Sequence, residues 1–185
     1  SGLQIHEGRA NAIKLMARIL CACGEKVVAL ATMRGGSARN AIPAQCSAQV
    51  VVLDQLRFDE LFRQEVDGIR EEFSLIEPHL SITMQLVKCE RGYISTMNDS
   101  HQKAFVLAMQ AVVNGVYRMS PVVPGLVEAS SNLSLVSLGE GQAEWSGLQR
   151  SSVESSKRDV AAAFAAPFQL IGAQVSHDAG YPGWS

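Results

Sequence analysis

The sequence predicts an α+β fold of two similar split-βαβ (ferredoxin-like) halves, with antiparallel sheets on one side and helices on the other. Three observations carry this expectation. Helical and strand-like stretches alternate along the chain. Turn-rich links join neighbouring apolar runs, as in antiparallel hairpins. The order of elements begins again near the midpoint. The two halves fall at 1–92 and 93–185, similar in architecture and with little sequence identity between them.

Each element has its own reason. Residues 2–6 read as a short opening strand. Over 8–23, Ile13, Met16, Ala17 and Leu20 recur at helical spacing with Lys14 and Arg18 opposite, and Gly24 is placed to cap the C-terminus. Strands follow at 26–33 and 46–53. Asp54 caps a helix whose stripe is Phe58, Phe62, Ile69, Phe73 and Ile76, and Pro78 ends it. Leu80, Ile82, Met84 and Leu86 alternate along 79–90, which predicts a half-buried strand.

In the second half, Asn98, Asp99 or Ser100 caps a helix carrying Phe105, Ala108, Met109 and Val112, which closes at Asn114-Gly115. A connection through Pro121 and Pro124 leads to strands at 126–138 and 142–150, joined by a hairpin turn at Gly139-Glu140-Gly141. A helix from about Val153 to Gln169, bent near Pro167, and a last strand over 171–176 complete the order.

The stretch between the first two strands, Met33 to Pro43, is the most pointed feature. Gly35-Gly36 and Pro43 bracket Arg34, Arg39 and Asn40, giving a strand-to-strand loop with a polar tip. On composition alone this is a charged hairpin connection.

Composition narrows the function. With 47% hydrophobic and 18% charged residues, the 185-residue chain buries a normal interior. A net charge of −2 with scattered signs gives no case for nucleic acid or an anionic membrane as partner, and no apolar run is as long as a membrane span. Cys21, Cys23, Cys46 and Cys89 lack both zinc-site spacing and the density of a disulfide scaffold, so reduced thiols in a cytoplasmic protein are expected. The chain starts on Ser1 without an initiator methionine and stops on loop residues, and both ends read as cut from a longer polypeptide.

No catalytic signature is visible, and His6, His79, His101 and His177 show no metal-ligand spacing. No catalytic or metal-binding residue is therefore expected in this chain. The polar candidates are Asn40 in the loop and Arg150 at a strand end, followed by Ser151 where a helix begins. An arginine there offers a planar fork to a carboxylate, with helix N-terminal amides close by.

Several stretches resemble one family. These are residues 1–12, Arg34-Gly35-Gly36-Ser37-Ala38-Arg39-Asn40-Ala41-Ile42-Pro43, Asn114-Gly115-Val116, 124–133, Leu148-Gln149-Arg150-Ser151-Ser152 and Gly180-Tyr181-Pro182-Gly183-Trp184. Together they resemble the bacterial aminoacyl-histidine dipeptidases, carnosinase-type zinc peptidases of the cytosol, over the whole chain and in order. The resemblance implies a lid domain of two similar halves, inserted in a two-zinc catalytic domain whose Zn2+ ligands and general-base glutamate lie outside this chain. It implies that a histidine directly before Ser1-Gly2 stabilises the oxyanion. It also implies that Asn40 contacts the dipeptide substrate, that Arg150 clamps its C-terminal carboxylate, and that Ser151 assists.

On that expectation the chain is inactive alone and serves a hydrolase, with the dipeptide and its own catalytic domain as partners. Two alternatives stand beside it. One is a dimerisation module that forms a homodimer, and the other is a free-standing small-molecule sensor.

Overall fold

The computed structural model describes residues 2–87 and 93–178. Asn11 starts the first regular helix. Its side-chain oxygen accepts from the amides of Ile13 and Lys14, so α1 (Ala12–Cys23) begins there, after a 3-10 turn at Gly2–Glu7. Gly24, at φ +75, closes α1 by donating its amide to Leu20 O. Strand β1 (Val28–Gly35) and strand β2 (Cys46–Val52) form an antiparallel hairpin around the 36–45 loop. Asp54 caps α2 (Gln55–Phe73), and Asn98 caps α3 (Asp99–Ala111). Strands β3 (Gly115–Met119), β4 (Val127–Gly139) and β5 (Gln142–Ser151) precede α4 (Glu154–Leu170), which runs through Pro167.

The α+β class holds: α1-β1-β2-α2 is followed by α3-β3-β4-β5-α4, so an additional strand, β3, precedes the second hairpin, and among the described residues neither half has the closing strand expected of a split-βαβ unit. The strands of both halves join in one five-stranded antiparallel sheet. Along one edge, β4 pairs with β3 through Val127–Ser131 and with β1 through Val136–Leu138, while β5 pairs along the other edge. The hairpin turn has Glu140 and Gly141 both at positive φ, the two-residue geometry whose twist matches that of paired strands.

Four local expectations are corrected. Residues 2–6 lie in the 3-10 turn and form no strand. Residues 79–87 and 171–176 are irregular, although Leu80, Ile82, Ile171, Ala173 and Val175 pack against the core. Over 171–176 the alternation marks alternate burial without a strand partner, whereas over 79–87 it fails after Ile82, because Met84 and Leu86 are exposed. Residues 88–90 lie outside the described residues. Strand β3 was missed, because Val116, Tyr117 and Met119 remain substantially exposed and give no clear alternation.

Helices α1, α3 and α4 cover one face of the sheet, and α2 packs on α1. Trp145 of β5 marks that face, stacking with Phe105 of α3 at 5.2 Å and Phe168 of α4 at 4.7 Å between ring centroids. Two residues on, Gly147 admits the Phe164 ring: a Cβ there would stand 2.3 Å from Phe164 Cζ and 2.9 Å from Asn132 O. Lys14 Nζ donates to the carbonyls of Met109, Gln110 and Val112 and so satisfies the end of α3; its partial burial lowers its pKa to about 8. Burial raises the Cys23 and Cys46 thiols to about 11 and about 12, which keeps both protonated at neutral pH.

Gly147→Ala is expected to destabilise the fold by about 1–3 kcal/mol, because the ring must leave its seat. Urea unfolding checks this, and an unchanged midpoint would show that Phe164 repacks freely.

Candidate functional site

The site begins with an interruption in the sheet. Between the stretches of β4 paired to β3 and to β1, Leu133 has no strand partner on that edge, and a register shift follows between Leu133 and Leu135. Buried backbone groups there need partners, and two asparagines supply them. Asn114 Oδ1 accepts from Leu133 N at 2.9 Å, and Asn11 Nδ2 donates to Leu133 O at 2.9 Å. Asn11 Nδ2 also reaches Asn114 Oδ1 at 3.1 Å and Asn132 Oδ1 at 3.3 Å. One side chain thus caps α1 and closes the sheet.

The 36–43 loop is fixed to this network. Ser134 Oγ donates to Arg39 O at 2.6 Å, and Asn132 Nδ2 donates to Ala41 O at 2.7 Å. The carbonyls on either side of Asn40 are therefore both held. Further along, Ala12 N donates to Pro43 O, and Gly36 N donates to Gln45 O. Gly36 is required at the loop's start: its φ is +79, and a Cβ would meet Ser134 O at 1.8 Å. Asn40 itself is exposed, and among the described residues its side chain makes no hydrogen bond. Beside it, Arg39 donates to Ser146 Oγ at 3.0 Å and pairs with Asp178 at 2.5 Å.

Arg150 lies on the same face of the sheet. It pairs in register with Ser130 of β4, and Leu148 pairs with Asn132. Paired residues share a face, so Arg150 stands on the face away from the helices, where Asn132 holds the loop. Ser130 and Asn132 are two residues apart on β4, roughly 7 Å along the strand. The Arg150 side chain is half-buried and makes no hydrogen bond or ion pair among the described residues. Glu128, two residues before Ser130, is 6% exposed and faces Arg118 of β3 at 3.3 Å.

The structure thus brings Asn40 and Arg150 to the sheet face away from the helices and leaves Ser151 off it. Ser151 pairs with Ala129, points toward the helices by alternation, and its hydroxyl accepts from Val153 N at 3.1 Å at the entry to α4. That is ordinary turn chemistry. Sequence reasoning missed Asn11, Asn132 and Ser134 as the residues that hold the loop. The available signal was a Ser-Ser-Asn run inside an otherwise apolar strand, where asparagine is disfavoured unless its amide has work to do. Among the described residues no three His, Cys, Asp or Glu side chains converge as metal ligands, and no helix is long and apolar enough to cross a membrane.

Known proteins resemble the chain along its length. Residues 1–72 match the peptidase dimerisation domain family. The whole chain aligns at 31% identity with the cytosol non-specific dipeptidase of Escherichia coli (strain K12), spanning 38% of that protein's length. A crystal structure of aminoacylhistidine dipeptidase from Vibrio alginolyticus superposes with a TM-score of 0.88 at 32% identity, over 98% of this chain and 37% of that one.

Asn132→Ala is expected to release the loop: amide hydrogen exchange over residues 38–42 should speed up by about tenfold or more, and stability should fall by about 1–3 kcal/mol. Unchanged exchange at those amides would show that the loop is held by other means.

Proposed function

From the match of residues 1–72 to the peptidase dimerisation domain family, and from the match of the whole chain to 38% of a dipeptidase, we propose that it is the lid of a cytosolic dipeptidase. The two halves, 1–92 and 93–185, act as one lid that closes over the catalytic domain of the same polypeptide. The substrates are Xaa-His and related dipeptides. One observation carries the assignment: Arg150, an arginine without a partner among the described residues, shares the sheet face away from the helices with a loop whose tip residue, Asn40, is held by both neighbouring carbonyls.

A dipeptidase has to measure its substrate. The free carboxylate lies one residue beyond the scissile bond, and a fixed guanidinium at that distance selects chains of two residues over longer ones. Arg150 serves as that clamp. Asn40, with both a donor and an acceptor on its amide, meets the substrate's peptide group. Because the loop is ordered beforehand, little conformational entropy is lost when it engages. Closure also removes water from the reacting groups, which strengthens both contacts. Ser151 contributes by shaping the turn that follows the clamp.

In this proposal the enzyme is a zinc hydrolase. The described residues of this chain offer no cluster of ligands that fits the metal. Zinc and the base belong to flanking sequence, and the isolated chain is inactive.

Arg150→Ala in the full-length enzyme is expected to lower kcat/KM for dipeptides by about 30- to 1,000-fold, equivalent to about 2–4 kcal/mol of transition-state binding. Steady-state kinetics decides this, and rates within a factor of two of the parent would remove the clamp.

The family match favours a second role beside the first, pairing of two copies of the domain. Light scattering of the chain at high micromolar concentration is expected to give the mass of a dimer, and a clean monomer would withdraw self-pairing for the isolated domain.

A further inference from the structure

Glu128 is the residue on the sheet face away from the helices that neither the fold nor the clamp accounts for. A carboxylate taken out of water needs several donors or an opposing charge. Glu128 is 6% exposed, yet its Oε1 is buried without a hydrogen bond. The charge facing it is Arg118 on β3, whose Nε stands 3.3 Å from Oε1. Arg118 itself is largely exposed, at 56% of its side chain.

The opposite flank completes a row. Ser152 N donates to Glu128 O at 3.1 Å, and Ser130 pairs with Arg150, so Glu128 and Arg150 are diagonal neighbours on adjacent strands. Such positions have Cβ atoms no more than about 8 Å apart, within the reach of an arginine. Tyr117, next to Arg118, turns the other way and donates to Asp159 of α4 on the helix-covered side. Arg118 is registered against Ala129 between two shifts of the β3–β4 ladder, yet its guanidinium reaches Glu128, so Arg118 on β3, Glu128 on β4 and Arg150 on β5 follow one another across three strands as cation, anion and cation.

We propose that Glu128 is a positioning residue for the carboxylate clamp, pairing directly with Arg118 and attracting Arg150, which it does not contact, from the neighbouring strand, so that both guanidinium groups serve an incoming carboxylate. This rests on the reading of Arg150 as the clamp. Two arginines alone would repel each other and turn out to solvent. The buried anion between them offsets one positive charge and leaves one uncompensated. A substrate carboxylate then completes an alternating row of charges. Arg118 becomes the second cation of the clamp.

The test uses the full-length enzyme and two substrates, a dipeptide and the same dipeptide with its C-terminus amidated. Arg150→Ala comes first. If it leaves the preference for the free acid within a factor of two, the clamp reading falls, and this inference with it. Where Arg150→Ala abolishes the preference, Glu128→Gln is expected to raise KM for the free dipeptide by about tenfold with kcat within about threefold, and to leave the amide's kinetics unchanged. Glu128→Asp should restore part of the loss.

A parent-like preference in Glu128→Gln, or an equal loss for both substrates, overturns the positioning role while the clamp stands. The double variant Glu128→Gln/Arg118→Gln, which leaves no unpaired buried charge, covers a failure of the single variant to fold. It should show the same selective loss for the free acid, and an unchanged preference there also overturns the proposal.

Discussion

The edge of β4 that serves two strands sets the terms for the rest of the domain. A 13-residue strand paired on one edge to β3 at one end and to β1 at the other leaves Leu133 in the middle of that edge without a strand partner. Burying that peptide group unpaired would cost about 1–3 kcal/mol for each missing partner. Asn11 and Asn114 fill the interval with their amides, and through them the start of α1 and the entry to β3 are tied to the middle of the sheet. The same interval lets the 36–43 loop approach the face of β4 closely enough for Asn132 and Ser134 to hold it. A break in the ladder is thus what creates a place for a rigid polar loop.

The two faces of the sheet are specialised by composition. Toward the helices the sheet presents Trp145 and Leu133, with Gly147 cut back to admit a ring. Away from them it presents serines, Asn132, Glu128 and the arginines Arg118 and Arg150, with Arg39 alongside. The chain as a whole carries −2. This face nevertheless gathers cations about one buried acid, a local field that net charge conceals.

What the sequence disclosed was local in origin. The caps at Asp54 and Asn98, the turn at Glu140-Gly141 and the stripes of α1 and α3 each depend on residues a few positions apart, and all appear where spacing places them. Arg150 was visible as a cation at a strand end, and Asn40 as an amide at a loop tip. The failures share a cause. Alternation over 171–176 reports which side chains are buried and says nothing of whether an edge is free to pair, and over 79–87 it overstates burial as well, since Met84 and Leu86 are exposed. The purpose of Asn132 depends on a carbonyl 91 residues away, and that of Asn11 on one 122 residues away. Distances of that kind are made by topology and leave no periodic trace.

That long reach also bears on how the domain comes into being. While the chain is being made, α1, β1 and β2 can assemble from neighbouring residues, but β1 then has one open edge and Asn11 has no carbonyl to meet. Both wait for residues 133–138, which emerge about a hundred positions later. Non-local closures of this kind are slow, and the open edge is exposed meanwhile. The β1–β2 hairpin is therefore not an independent folding unit, and the first half reaches its final state only when the second half is in place.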